Sequence, residues 1–206
     1  MALPWQPLLE WWFGSGSNTE TELTTSQIAK AKGKLWFGKK HSQDDEAQQR
    51  FAAQVKQALA GELKDWAQSP LGWLALVLLL DQLPRMIFRD TPKAFAGDAR
   101  AQTLVEHGLT LGFDQQLSSI QRTFIYLVLE HSENLAHQNQ AVTLLRALLD
   151  EQPAIDRAVI ASNLDFAIRH QRVIARFHRF PHRNAILGRP STAEELAFLQ
   201  ERGSRF

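Results

Sequence analysis

Apolar residues recur along most of this chain at the three- and four-residue spacing of helices, and few segments alternate strictly as half-buried strands do. Pro7 can start a short helix through Glu10, Trp11 and Trp12, which Gly14-Ser15-Gly16-Ser17-Asn18 breaks as a flexible loop. A weaker helix is expected over Glu20 to Lys32. Ser42 can cap the next, with Asp44 and Asp45 in its first turn, a stripe of Ala47, Phe51, Val55 and Ala58, and Gly61 at its end. Ser69-Pro70 is a cap followed by proline at the first helical position, and Leu71 to Leu83 is apolar on nearly every side, a central helix that Pro84 should end. Thr91-Pro92 repeats the signal for a helix carrying Phe95, Ala99 and Leu104 that stops near Gly108 or Gly112. Ser118 or Ser119 opens another through Phe124 and Leu127, and one from about Glu133 to Leu149 follows. Whether those two are joined the pattern leaves open. Pro153 opens a long helix to about Phe180, and Thr192-Ala193-Glu194-Glu195 is a capping box for a short last one.

The pattern therefore predicts an all-α domain over residues 1–206, about eight or nine helices in antiparallel pairs. Trp11-Trp12-Phe13-Gly14 and Leu35-Trp36-Phe37-Gly38 echo each other, but one echo is not an array. Six Trp and twelve Phe promise a core of large rings. The chain has no cysteine, which excludes disulfides, thiolate nucleophiles and cysteine-based zinc sites. A net charge of +1 argues against general attraction to nucleic acid or a membrane surface. The start of the chain lacks a signal-peptide pattern, and the apolar run Leu71 to Leu80 is far shorter than the roughly 20 residues a bilayer needs. The cytoplasm is the expected compartment.

Three polar segments interrupt this apolar background. In the first, Asp81, Gln82, Arg85, Arg89, Asp90 and Asp98 follow the most apolar helix. Asp81 at a helix C-terminus opposes the dipole and needs a cationic partner, Arg85 or Arg89. The pair is either an internal salt bridge fixing a turn or a grip on an anion. In the second, Glu130, His131, Glu133 and His137 stand close together, and Glu133 and His137 share a helical face four apart. That spacing suits a metal pair, an acid–base pair or a mere surface hydrogen bond; no metal is assigned. In the third, Arg169 to Arg189, no carboxylate interrupts a run in which Arg169, Arg172, Arg176 and Arg179 fall on one helical arc. His170 should face inward. The arginines either pair with acids of other helices, or form a solvated face, or grip an anion through their guanidinium forks. The acids of the first two segments and the arginine excess of the third predict that all three meet in space.

These segments, Leu35-Trp36-Phe37-Gly38, Leu79-Leu80-Asp81-Gln82-Leu83-Pro84-Arg85, His131-Ser132-Glu133 and Arg176-Phe177-His178-Arg179-Phe180-Pro181-His182-Arg183-Asn184, together resemble a bacterial family classed as domain of unknown function 924. Leu187-Gly188-Arg189 and Thr192-Ala193-Glu194-Glu195 extend the resemblance over almost the whole chain. It implies a helical fold similar to tetratricopeptide-repeat proteins, and no established activity, substrate or cofactor. Two positions depart from the family: His178 stands where glycine is usual, and Val128-Leu129 replace Pro-Phe. A bulky imidazole at 178 is expected to narrow or re-aim a nearby cleft.

The function expected from these residues is binding of an anionic small molecule or peptide through Asp81, Gln82, Arg85, Arg89, Arg179, Arg183, Asn184 and Arg189. The alternative is an enzyme acting on a phosphorylated or carboxylated small molecule, with His131, Glu133, His170 and His182 as candidates for acid–base chemistry. An RNA-associated role is weaker, since the basic face has no interleaved aromatics.

Overall fold

A computed structural model describes residues 3–15 and 23–204, and among these the regular structure is entirely helical. The α-helices are α1 (Gln6–Phe13), α2 (Thr25–Phe37), α3 (His41–Ala60), α4 (Pro70–Leu80), α5 (Gln82–Ile87), α6 (Asp98–Thr110), α7 (Ser119–Glu130), α8 (Leu135–Asp150), α9 (Ala154–Phe177) and α10 (Ala193–Phe198). Short 3-10 turns at Lys64–Gln68, Pro92–Phe95, Asp114–Gln116 and Pro181–Arg183 connect them. Local chemistry explains most of the starts. Ser69 accepts a hydrogen bond from the Gly72 amide ahead of Pro70, and Ser118 with Gln121 and Thr192 with Glu195 form capping boxes.

The interior is organised around α4, whose residues from Gly72 to Leu80 are all buried. A helix apolar on every side needs neighbours on every side. Here α3, α6, α7 and the Lys64–Gln68 turn surround it. The closest approach is to α6, where Gly108 leaves room for the Trp73 indole: a methyl group at Gly108 would lie 2.2 Å from Trp73 Cε2. The Trp73 Nε1–H donates to the Leu104 carbonyl across the same contact. α8 and α9 form the most extensive antiparallel pair, and α2 rests on α9 and α7. The two echoed aromatic motifs meet there: Trp12, Phe13 and Trp36 all place their rings against Phe124, at centroid distances of 5.5, 5.5 and 4.8 Å.

Several expected boundaries move. The weak second helix begins at Thr25, capped by Thr24, and runs on to Phe37; its expected start at Glu20 lies outside the described residues, as do residues 16–18 of the expected loop. α3 begins one residue before Ser42, whose hydroxyl caps nothing, and Lys40 holds the N-cap position. The central apolar helix ends at Leu80 rather than Leu83: the chain turns at Asp81 and restarts as α5. Pro84 falls inside the first turn of α5 and acts four residues upstream of itself, because it has no N–H for the Leu80 carbonyl. The helix expected from Thr91 divides into the Pro92–Phe95 turn and α6, because Gly97 packs on the Leu80 backbone so tightly that a Cβ would lie 2.0 Å from the Leu80 carbonyl oxygen. α7 and α8 are separate, joined through His131 to Asn134. The stretch Pro70–Ile87 is apolar and long enough to match a membrane span by composition, but 78% of it is buried inside the fold and it breaks at Asp81.

Candidate functional site

The break after α4 places Asp81, fully buried, at the centre of a polar cluster. Its carboxylate accepts hydrogen bonds from His131 Nδ1 at 2.7 Å and Gln82 Nε2 at 2.6 Å, and pairs with Arg85 Nη1 at 3.0 Å. Burial alone would push this carboxyl up. Arg85 and His131 outweigh it and hold Asp81 well below the usual carboxylate range. Arg85 also donates to the Asp81 carbonyl at 2.7 Å, an orphan of the α4 C-terminus, and grips Asp98 with both terminal nitrogens at 2.8 and 2.9 Å. One guanidinium thus closes the gap between α4, α5 and the start of α6.

The far side of the cluster comes from α7, α9 and the Pro181–Arg183 turn. Arg183 is buried; its Nη1 donates to the His131 carbonyl at 3.0 Å and lies 3.5 Å from Asp98 Oδ2. Its guanidinium sits 4.9 Å from the centre of the Phe95 ring and 4.5 Å from that of Phe180. Burial and the nearby Arg85 push it down to about 10, so it stays charged at neutral pH. Glu130 is buried near His170, and its Oε2 has no hydrogen-bond partner among the described residues. Burial and the Asp81 charge raise this carboxyl well above its usual range. His170 faces inward as expected: its Nδ1–H donates to the Phe166 carbonyl at 2.9 Å and lies 3.7 Å from Glu130 Oε2. Burial lowers His170 to about 3 and His182 to about 4, and burial and Arg85 also lower His131. With His131 neutral, the contact to Asp81 is an Nδ1–H donated to a carboxylate, which fixes the tautomer and leaves Nε2 as the basic nitrogen.

A second polar group lies farther out, where the chain after α9 folds back. Glu133 receives Arg189 through two hydrogen bonds at 2.6 and 2.9 Å and the Phe180 amide at 2.8 Å. These outweigh burial and lower its carboxyl. Arg189 Nε donates to Asn184 Oδ1 at 3.0 Å. Arg179 clasps Glu195 at 2.6 and 2.7 Å, and with the Thr192 amide this holds the carboxyl down at about 2. Arg89 is elsewhere, bidentate to Asp44 of α3 at 2.7 Å for each bond.

The Asp81–Arg85, His131–Glu133 and Arg179–Arg183 segments therefore meet, as their charge balance required. Asp81, Gln82, Arg85, His131, His170 and Arg183 share the inner cluster; Glu133, Arg179, Asn184 and Arg189 form the outer one, with His182 between them by its electrostatic contacts. Arg89 joins neither. Glu133 and His137 do not share a helix face, because Glu133 precedes α8; His137 instead meets Ser132 Oγ at 2.9 Å and Glu106 at 2.7 Å. Among the described residues no three histidines and carboxylates are grouped to hold a metal ion. Three of the four arginines expected on one helical arc have acidic partners: Arg169 pairs with Asp165, Arg176 with Glu194 and Arg179 with Glu195. Arg179 is not even on the arc, since α9 ends at Phe177 and His178 turns the chain with φ +57°. His178 is exposed.

Asp44 and Glu195 show no sign of their partnerships in sequence, where each reads as a helix-start acid. Phe95 and Phe180 read as core, not as the two faces of a guanidinium slot. Two surface grooves lie outside this cluster: about 380 Å³ between α2, α7 and α9, and about 710 Å³ between α3, the Lys64–Gln68 turn, α4 and α6.

A family model described as "Bacterial protein of unknown function (DUF924)" matches residues 8–203. A solved structure of a protein of unknown function from Agrobacterium tumefaciens is similar to this chain, with a TM-score of 0.74 and 36% identity, covering 83% of this chain and 91% of that one. No curated protein matches the chain in sequence.

Proposed function

The chain belongs to the bacterial family of unknown function DUF924, and from that premise we propose that its inner cluster binds a small anionic molecule or the anionic end of a peptide. The observation that carries this reading is Arg183. Arg85, Arg89, Arg179 and Arg189 each close a two-pronged grip on a carboxylate, whereas Arg183 has a carbonyl at 3.0 Å, a carboxylate only at 3.5 Å, and a buried Nε without a hydrogen-bond partner among the described residues. A buried guanidinium with a donor to spare is complemented by an oxyanion. Asp81, Gln82 and Arg85 hold the surrounding shell. The proposal includes a cytoplasmic setting and a tetratricopeptide-like stacking of the helix pairs, as the resemblance implies, and no nucleic acid or membrane as partner.

A separate observation favours a second reading, acid–base chemistry on a phosphorylated or carboxylated small molecule. His131 commits Nδ1 to Asp81, and Nε2 makes no hydrogen bond among the described residues. An oriented, neutral imidazole of this kind is the arrangement a general base needs.

Melting temperatures across chloride, sulfate, phosphate and citrate test the binding reading, for the wild type and Arg183→Gln. One anion should raise the wild-type melting point by about 5–10 °C at a hundredfold excess over its dissociation constant. Arg183→Gln should lose that gain. If no anion distinguishes the two proteins, the cluster is the polar framework of the fold and the proposal fails.

A further inference from the structure

The 710 Å³ groove has a composition unlike either polar cluster. Leu63, Leu76 and Leu104 form its less exposed floor, while Lys64, Arg100 and His107 stand exposed around it. Among the described residues no carboxylate lines it; the neighbouring acids Glu62, Asp65 and Glu106 stand outside the lining, and Glu106 is engaged by His137. Arg100 is also unlike the arginines of the clusters. Among the described residues it makes one hydrogen bond, from Nη1 to the Ala58 carbonyl at 2.8 Å at the C-terminal end of α3, and pairs with no carboxylate. Its close approach there uses the space left by Gly61, where a Cβ would lie 2.6 Å from Nη1. The guanidinium is thus held by one nitrogen at the lip of an apolar trough, with Nη2 and Nε still available.

We infer that this groove is a second ligand site, for a small amphiphilic carboxylate whose apolar body lies on the leucine floor and whose head group meets Arg100 and Lys64. Charge complementarity selects that occupant. A cationic rim over an apolar floor, with no acid to satisfy it, matches a molecule with one anionic end, and the guanidinium edge matches a carboxylate in two hydrogen bonds. The volume is in the range of small-molecule sites, about 300–1,000 Å³. Lone surface cations would be solvated equally well anywhere; what distinguishes this place is that Arg100 is fixed by the α3 carbonyl, so little side-chain freedom is lost on binding.

Calorimetric titration of the full chain with octanoate, octylammonium and 1-octanol tests the site. Octanoate should bind at one site, and octylammonium at least tenfold more weakly. Arg100→Gln should weaken octanoate about tenfold and leave 1-octanol unchanged. Thr103→Glu, which puts a carboxylate on the exposed lining of α6 without removing the α3 contact, should do the same and decides the matter if Arg100→Gln fails to fold. Arg183→Gln should leave octanoate binding intact, which separates this site from the inner cluster. The inference is overturned if no probe binds, if the two charged head groups bind alike, or if octanoate affinity survives Thr103→Glu. Concentration-dependent dimerisation that octanoate reverses would also overturn it, since a second copy would then be the occupant.

Discussion

The inner and outer polar clusters use the same chemistry, arginine gripping carboxylate, in surroundings of different wetness. Asp81 has no exposure to solvent, although Arg85 keeps about a fifth of its side chain in water, while Arg189 and Glu133 both keep about a quarter, so the contrast lies in the carboxylates. The difference governs what each grip is worth. In the inner cluster an Asp81 carboxylate that loses its partner cannot turn to water, so its pairs matter chiefly through the penalty of breaking them. In the outer cluster water takes over much of any lost contact, and the pairs act as clasps that hold the last chain segment against Phe180.

The comparison breaks most easily at Asp81. Asp81→Ala leaves the His131 and Gln82 donors without their acceptor while Arg85 keeps Asp98, and should destabilise the protein by about 2–4 kcal/mol in urea unfolding. A loss under 1 kcal/mol would mean that water reaches the inner cluster and that the two clusters do not differ in kind.

Glu130 sharpens the same contrast through pH. Its carboxyl is raised in the folded protein, so the stability it contributes is fully present below the unfolded value of 4.5 and is lost as pH rises toward the folded value. Glu130→Gln carries no such loss. Its stability relative to the wild type should therefore climb with pH above 4.5, by about 1.4 kcal/mol per pH unit until the folded value is reached. Depressed histidines such as His170 work with the opposite sign, lowering stability as pH falls below 6.5, but they are common to both proteins and cancel in the difference. Parallel stability curves from pH 5 to 8 would show that Glu130 is ionised.

In the outer cluster Glu133→Gln keeps shape and loses charge. It should cost about 1–2 kcal/mol, the value of hydrogen bonds to a charged group reduced by solvent screening. A cost equal to that of Asp81→Ala would erase the distinction. The smallest effect belongs to the joint between the clusters. His178 occupies a left-handed conformation that disfavours any residue with a Cβ, so His178→Gly should stabilise by about 0.5–1 kcal/mol, read as a shift of the urea midpoint.

What the sequence disclosed follows the range of the interactions. The all-helical class and the starts at Ser69, Ser118 and Thr192 depend on residues within a turn of one another, and the pattern shows them. The division at Asp81 did not show, because Leu83 continues the apolar run and Pro84 acts four residues upstream of itself: it has no N–H for the Leu80 carbonyl, and α4 ends there. In the site, the meeting of the three segments could be argued from charge balance, but the partners could not be named. Arg89 reaches Asp44 across 45 positions and Arg189 reaches Glu133 across 56, distances over which no periodicity operates. The departure at 178 was visible as a residue type, but the left-handed backbone angle it holds was not.

The way Asp81, His131 and Arg183 are tied together also sets a schedule for synthesis. Asp81 and its apolar helix leave the ribosome first, the His131 ring follows fifty positions later, and Arg183 about another fifty after that. At about 5–20 residues per second, α4 waits roughly 5–20 seconds before its polar end is closed. Through that interval the nascent chain carries its most hydrophobic segment with Arg85, four positions on, as the charged partner already made for Asp81, while the His131 donor and the Arg183 guanidinium that close over it are still missing. The order of synthesis thus gives the segment a polar, paired end well before it gives it a lid.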